Sequence, residues 1–433
     1  MRIALVSDTY LPQVNGVTTV VHRIAQTVRA AGHAVALVAP RYPHGSDGDG
    51  GGGGGDELRV PSLPFPPYPS IRLSSPVHRP VARFLDRFAP DLIHAATEGP
   101  LGVHARRYAL AHDIPLVTSF HTDFPQYARD YGVGLIAPLV WRWLVRFHRA
   151  ARLIHTPGVA VRDELVRRGL RNTVVWGRGV DTRHFRPDRR TVGWRRWLAG
   201  ADDAVIVLHV GRLAPEKNLR VLVDAWNRAK RCLGPRASFV IAGEGPEAAT
   251  VAARAPFARQ LGFLDRDSLA GLYASADLCV LPSRTETCGL VALEAMASGT
   301  PVIAANAGGL AESVRHDENG ILVHPDDARG FSQAIVSLGL DADLRRRLAL
   351  GARQTALTRD LAAEDHELLV QYTALVDQSF TLQSSHHKER STDVDSAVAR
   401  SVSGPGPAVR RMVSAASGPG TRPAQWRLDR SGA

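Results

Sequence analysis

The segment Glu286-Thr-Cys-Gly-Leu-Val-Ala-Leu-Glu294 places two carboxylates on one short stretch, which runs on into Ala-Met-Ala-Ser-Gly299-Thr-Pro301-Val-Ile. The apolar run Leu278 to Leu281 before it reads as a strand, so a helix should begin near Thr287 to Gly289. Its free N–H groups and positive dipole end would then face the mouth of a sheet, where a phosphate can sit. Glu286 would lie in the loop and Glu294 about two turns further along, within reach of a different part of one extended ligand. Ionised carboxylates only accept hydrogen bonds and sugars offer many donors, so such a pair suits a hydroxyl-rich ligand. The plainer alternative is that Glu286 caps the helix and Glu294 is solvated.

A second cluster lies in His209-Val-Gly-Arg212-Leu-Ala-Pro-Glu-Lys217-Asn-Leu, where Arg212 and Lys217 bracket a strand-to-helix loop. Two cations at the carboxyl end of a parallel sheet form a clamp for a diphosphate leaving group. Against this stands a solvated loop with a surface ion pair between Glu216 and Lys217. In Leu11-Pro-Gln-Val-Asn15-Gly16-Val, between the first strand and the first helix, Gly16 would let backbone approach a ligand, although an ordinary tight turn fits too. Thr118-Ser-Phe-His121-Thr-Asp123 follows another strand, and His121 there could hydrogen-bond a substrate near its reacting carbon, move a proton, or be structural. Glu98, in a similar position, could contact an acceptor or cap a helix.

Missing motifs narrow the field. No G-x-G-x-x-G fingerprint and no Walker phosphate loop follow either first strand, so dehydrogenase and ATPase chemistry lose support. Asp-x-Asp occurs only at Asp47 and Asp49 in a glycine-rich run and at Asp393 and Asp395 near the carboxyl terminus. No metal and no cofactor is therefore expected to be required, with Arg212, Lys217 and the helix end supplying the charge stabilisation.

These residues need elements to hold them, and 433 residues with 44% hydrophobic content suffice for two domains. Short β-rich runs alternate with helical patterns, which predicts parallel sheets covered by helices. Strands are expected at Ile3 to Ser7, Ala34 to Ala39, Leu92 to Ala95, Leu116 to Ser119, Leu153 to Thr156 and Thr173 to Trp176. A second set is expected at Ala204 to Val210, Ser238 to Ala242, Arg259 to Gly262, Leu278 to Leu281, Val302 to Ala304 and Gly320 to Val323. The stretch Asp181 to Gly200 is the expected boundary and hinge. The glycine run around Gly48 to Glu57 reads as a mobile loop. The segment after Gln383, rich in Ser, Gly, Pro and Arg, reads as disordered.

The net charge of +11 is uneven: residues 1 to 190 hold 25 basic and 15 acidic side chains, residues 191 to 382 hold 20 and 23, and the remainder 8 and 4. No nucleic-acid-binding pattern accompanies the basic half, so nucleic acid is not an expected partner. A helix over 138 to 152 would put Arg142, Arg146, Arg149 and Arg152 on one face, with Trp141, Trp143, Leu144 and Phe147 elsewhere. That arrangement suits either an anionic membrane surface or ordinary packing with a solvated basic face. No apolar run is long enough to span a bilayer, the amino terminus reads as a strand rather than a secretory signal, and three cysteines in no framework spacing fit a reducing cytosol. A cytoplasmic location, peripheral on the membrane face, is the expectation.

Taken together, these segments resemble the family-4 retaining glycosyltransferases. The likeness covers residues 1 to about 380 and is strongest in GRLAPEKNL, AGEGPE and SRTETCGLVALEAMASGTPVIAANAGGLAE. LPQVNGV, SFHTDFPQYARDYG and WGRGVDTRHFRP look most like GDP-mannose-dependent α-mannosyltransferases. The resemblance implies an α/β GT-B fold, two Rossmann-like domains facing each other across a cleft. The acceptor domain would span 1–186, the nucleotide-sugar domain 187–360, a helix crossing back 361–382 and the tail 383–433. It implies that Arg212 and Lys217 hold the diphosphate, helped by backbone at Gly16, Gly289 and Leu290. Glu286 would bind donor-sugar hydroxyls, Glu294 the ribose, and His121 the region of the anomeric centre, while Ser238 to Glu244, with Gly243, would border the base. The implied partners are a nucleotide sugar, GDP-mannose above all, and a lipid or glycan acceptor. UDP-sugar-dependent glucosyl or sulfoquinovosyl lipid transfer and a sugar-nucleotide epimerase of the same architecture are the alternatives.

Overall fold

Parallel strands buried on both faces are apolar along most of their length, and the twelve runs anticipated above all form strands in the computed structural model of the chain, the edge strand at Arg259–Gln260 being exposed. It describes residues 1–381 except 14, 43–55, 66–67, 76–77, 122, 131–133, 178, 200–203, 360 and 380. In chain order the strands are β1 (Arg2–Val6), β2 (Ala34–Pro40), β3 (Glu57–Val60), β4 (Ser62–Phe65), β5 (Tyr68–Ser74), β6 (Leu92–Ala95), β7 (Leu116–Ser119), β8 (Leu153–Thr156) and β9 (Thr173–Val175). The second half adds β10 (Val205–Val210), β11 (Ala237–Ala242), β12 (Arg259–Gln260), β13 (Leu278–Leu281), β14 (Val302–Ala305) and β15 (Gly320–Val323).

The first sheet runs β3-β2-β1-β6-β7-β8-β9 and the second β12-β11-β10-β13-β14-β15, every pair parallel. In each, the chain leaves the middle strand, builds outward one way and returns to build the other. The switch points lie between β1 and β6 and between β10 and β13, where open α/β sheets bind ligands. The fold is GT-B, two such domains in one chain.

Alternation along β1 feeds two cores. Ala4 and Val6 pack with Val81, Leu85, Leu101 and Leu144 on one face. Ile3 and Leu5 pack with Val21, Ile24 and Val28 of helix Gly16–Ala30 on the other. The helix 361–379 joins this second face, burying Leu368, Tyr372 and Val376 at one-turn spacing against first-sheet residues. Its Tyr372 hydroxyl sits 2.5 Å from His94 Nδ1 of β6, and Gln371 Oε1 sits 2.8 Å from His155 Nε2 of β8. The second sheet has one core spanning both faces, drawing on residues from Val180 to Ala356.

Three expectations need correction. The glycine-rich run ends in order: Glu57 begins β3, paired to β2, while residues 43–55 lie outside the described residues. The stretch Asp181 to Gly200 is not irregular throughout, since it holds helix Val192–Ala199, whose Leu198 is buried in the second domain's core. The helix expected over 138 to 152 spans Ala137–His148 instead, so Arg149 and Arg152 lie beyond its end, and Trp143 is exposed beside Arg142. The tail from 383 is outside the described residues.

Candidate functional site

At the carboxyl end of β10 the chain turns through Gly211, with φ +155°, into Arg212 and the 3-10 turn Pro215–Lys217. Backbone packs on backbone here. A Cβ on Gly243, after β11, would lie 1.9 Å from the Gly211 carbonyl oxygen, and one on Gly245 would lie 2.3 Å from that of Leu213. Their φ values of +136° and +158° add a second reason for glycine at both positions. The hydrogen bonds Gly211 N–H to Ala242 O (3.0 Å) and Leu213 N–H to Glu244 O (2.8 Å) fix the two loops together. Gly243 therefore has a structural reason to be glycine, independent of any ligand.

Arg212 and Lys217 do not share a partner. Arg212 pairs with the buried carboxylate of Glu216, whereas Lys217 Nζ reaches across the switch point to Glu286 Oε1 at 2.5 Å. The simple surface pair between Glu216 and Lys217 is thus replaced by two pairs that stitch the β10 loop to the β13 loop. Ser283 Oγ and Thr285 Oγ1 donate to the Glu216 carbonyl oxygen at 3.1 and 3.3 Å and strengthen that seam. Both cations already stand against carboxylates, so a diphosphate bound here would compete with Glu216 and Glu286 for them.

Helix Leu290–Ala297 begins behind Gly289, which caps it in the left-handed region at φ +72° with no side-chain capping bond. Glu286 is therefore not the cap. Gly308 and Gly309 press on the same loop from behind: added Cβ atoms would lie 2.5 Å from Glu286 O and 2.6 Å from Thr287 O. Glu294, on the helix, is not solvated. Burial pushes its carboxyl up to about 7, although the Tyr273 hydroxyl, 3.2 Å from Oε2, and Arg266 pull the other way.

The first domain brings three further groups to its own strand ends. Gly16 opens helix Gly16–Ala30 behind Asn15, whose side chain accepts from Thr18 N–H at 2.9 Å, and a Cβ on Gly16 would meet nothing within 4 Å. His121, after β7, has its carbonyl bound by Thr287 Oγ1 of the second domain at 3.0 Å. Among the described residues its buried Nε2 has no partner. Burial and the neighbouring His155 and His148 hold its pKa down to about 4, so it is neutral at pH 7. It can give or take a hydrogen bond but does not enter neutral solution as an acid.

Glu98 does not cap the helix that follows it. Its carboxylate pairs with buried His148 Nε2 at 3.2 Å, and His148 Nδ1 sits 2.8 Å from Thr118 Oγ1. The cap of helix Pro100–Ala111 comes instead from Asp8, at the end of β1, which accepts from Leu101 N–H (3.0 Å), Gly102 N–H (3.4 Å) and Thr97 Oγ1 (2.8 Å). Burial raises the Asp8 carboxyl, with these bonds opposing. The roles of Asp8, Glu216 and Tyr273 were not found from sequence. An Asp just after the first strand was the one local sign. Among the described residues no group of three or more His, Cys, Asp or Glu side chains is placed to hold a metal, and Asp47, Asp49, Asp393 and Asp395 lie outside them.

The two sheets correspond to two segments of the chain that known proteins match separately. The family model described as Glycosyltransferase Family 4 matches residues 14–184, and that described as Glycosyl transferases group 1 matches residues 204–341. The GDP-mannose-dependent alpha-mannosyltransferase of Mycobacterium tuberculosis is 34% identical over 379 residues, covering 87% of this chain and 97% of that protein. The protein of the same description from Mycolicibacterium smegmatis is 35% identical over 382 residues, covering 87% and 98%. The chain belongs to glycosyltransferase family 4. Among solved structures, Anabaena HepE in complex with UDP aligns with a TM-score of 0.67 at 21% identity, over 86% of this chain and all of that one, which supports the fold of this family-4 transferase. No described helix of the transferase is long and apolar enough to cross a membrane.

Proposed function

We propose that this transferase moves mannose from GDP-mannose, with retention at the anomeric carbon, to a lipid acceptor at the cytoplasmic face of an anionic membrane. The relatives named above support the donor, since both are described as GDP-mannose-dependent. The observation that carries the reading is the pair of switch-point cations, Arg212 and Lys217, held in place by Glu216 and Glu286 where a diphosphate can reach them. As the sugar C1–O bond to phosphate breaks, positive charge grows at C1 and negative charge on the departing diphosphate, so stabilising the latter is the main task. Lys217 and Arg212 turn to it, Glu286 is released to accept donor-sugar hydroxyls, and Glu294 accepts from the ribose. The acceptor oxygen bonds to C1 on the face being vacated, and its proton passes to the leaving phosphate oxygen. His121, neutral, contributes a hydrogen bond near that centre. No metal or cofactor takes part in this scheme.

The membrane half of the reading rests on helix Ala137–His148 and the turn before it. Leu135, Leu139 and Trp143 are 97%, 62% and 41% exposed and stand beside exposed Arg142, Arg146 and Arg149. From 131 to 162 the chain contains no acidic residue. Apolar side chains flanked by arginines suit insertion at an anionic headgroup surface.

A panel of nucleotide sugars incubated with a membrane lipid extract and read by mass spectrometry tests the proposal. GDP-mannose consumption with a hexose-shifted lipid supports it; use of a UDP-sugar overturns the donor and leaves the family intact, and an isomerised sugar nucleotide without acceptor points to the epimerase.

A further inference from the structure

Both carboxylate oxygens of Glu312 are in use. It lies on helix Gly308–Ser313, after β14 in the second domain. Oε2 accepts the N–H of Val159 and Oε1 that of Ala160, both at 2.8 Å, in the first turn of helix Val159–Arg167 of the first domain. A carboxylate on two free N–H groups at a helix start gains from both the hydrogen bonds and the dipole. The facing residue is shaped for it: a Cβ on Gly158 would lie 2.9 to 3.2 Å from the atoms of the Glu312 carboxyl group.

The same short helix reaches back to the donor loop. Gly309 N–H donates to Glu286 O at 2.6 Å, and the next residue in that loop, Thr287, bonds the His121 carbonyl at 3.0 Å. One segment therefore supports the Glu286 loop on one side and grips the first domain on the other. The grip is at an accessible rim, with Val159 38% exposed, where water can compete for it and the contact can open and close.

We propose that Glu312 is a positioning residue that latches the two domains in the register bringing His121 against the Glu286 loop, so that transfer depends on a side chain remote from the sugar. The proposal rests on the reading that donor and acceptor are held by different domains. Glu312→Ala should lower kcat by about tenfold or more, the scale of losing charge-assisted hydrogen bonds, while GDP affinity, whose charged contacts Arg212, Lys217 and Glu294 all lie in the second domain, stays within about twofold. Small-angle scattering of Glu312→Ala should show a larger radius of gyration than the parent. Glu312→Gln keeps one acceptor oxygen and should fall between the two. Gly158→Ala, which crowds the carboxylate from the other side, should reproduce the defect alone and add nothing in the Glu312→Ala background. Wild-type kcat in Glu312→Ala, unchanged scattering, or additive losses in the double variant would each overturn the latch. Scattering and GDP binding need no acceptor and no assumption about the sugar, so a wrong donor assignment leaves this test readable.

Discussion

Replacing Glu294 with glutamine should stabilise the empty protein and weaken its hold on the nucleotide, and the two effects should part company with pH. Burial raises the Glu294 carboxyl from its ordinary 4.5 to about 7. Between those values the folded protein binds a proton that the unfolded chain has lost, so the contribution of this residue to stability is greatest below pH 4.5, declines as pH rises through the window and stays low above 7. Each tenfold change in the protonation equilibrium is worth about 1.4 kcal/mol, which puts the ceiling on that loss at ~3 kcal/mol. Glutamine has no charge to bury and can still accept from the Tyr273 hydroxyl, so the variant avoids the decline. Urea unfolding should show Glu294→Gln equal to the parent at pH 4.5 and more stable by up to ~3 kcal/mol at pH 8. Nucleotide binding moves oppositely, because exchanging charge-assisted for neutral hydrogen bonds to the ribose costs about 1–2 kcal/mol, roughly tenfold or more in affinity. Calorimetry with GDP should show the parent binding more weakly as pH falls below 7 and the variant indifferent. A variant less stable than the parent at pH 8, with unaltered GDP affinity, would refute both the burial argument and the ribose assignment.

Gly16 offers a separate probe of ligand approach. An added Cβ there meets nothing, so Gly16→Ala should be as stable as the parent or up to about 1 kcal/mol more so, while the donor KM rises; an unchanged KM would remove Gly16 from the site. For the membrane face, Leu139→Glu with Trp143→Glu should reduce sedimentation with vesicles containing anionic phospholipid several-fold without changing turnover on a water-soluble acceptor. Equal vesicle binding by the parent and that variant would show that this surface does not meet lipid.

The sheets were readable because a buried parallel strand is apolar along most of its length; the exposed edge strand Arg259–Gln260 departs from that rule. The strands missed lie between β2 and β6. Glu57–Val60 follows the glycine run, and Pro64 and Pro69 obscure the hairpin of β4 and β5, since proline argues against a regular ladder. In the site, Arg212, Lys217 and Glu286 stand out in the sequence because each lies in the loop after a strand, and Glu294 because it lies in the helix that follows, all with chemical types that suit diphosphate or sugar. Their partners were not. Glu216 sits one residue from Lys217 but pairs with Arg212, Tyr273 reaches Glu294 from another helix, and Glu312 meets Val159 from 153 residues away. Pairings of that kind are set by how the domains pack and leave no periodic mark in the chain. Glu98 shows the converse: a local capping role was available to it, and it pairs instead with a buried histidine from a distant helix.

The account turns on Arg212 and Lys217 neutralising the diphosphate as it departs, and the turnover rate of the Arg212→Ala, Lys217→Ala double variant measures that directly. Losing a single preorganised donor to a developing anion costs about 10² to 10³ in kcat, so the double variant should be slower by at least ~10³ with its circular dichroism unchanged. A folded double variant turning over within about tenfold of the parent would contradict it.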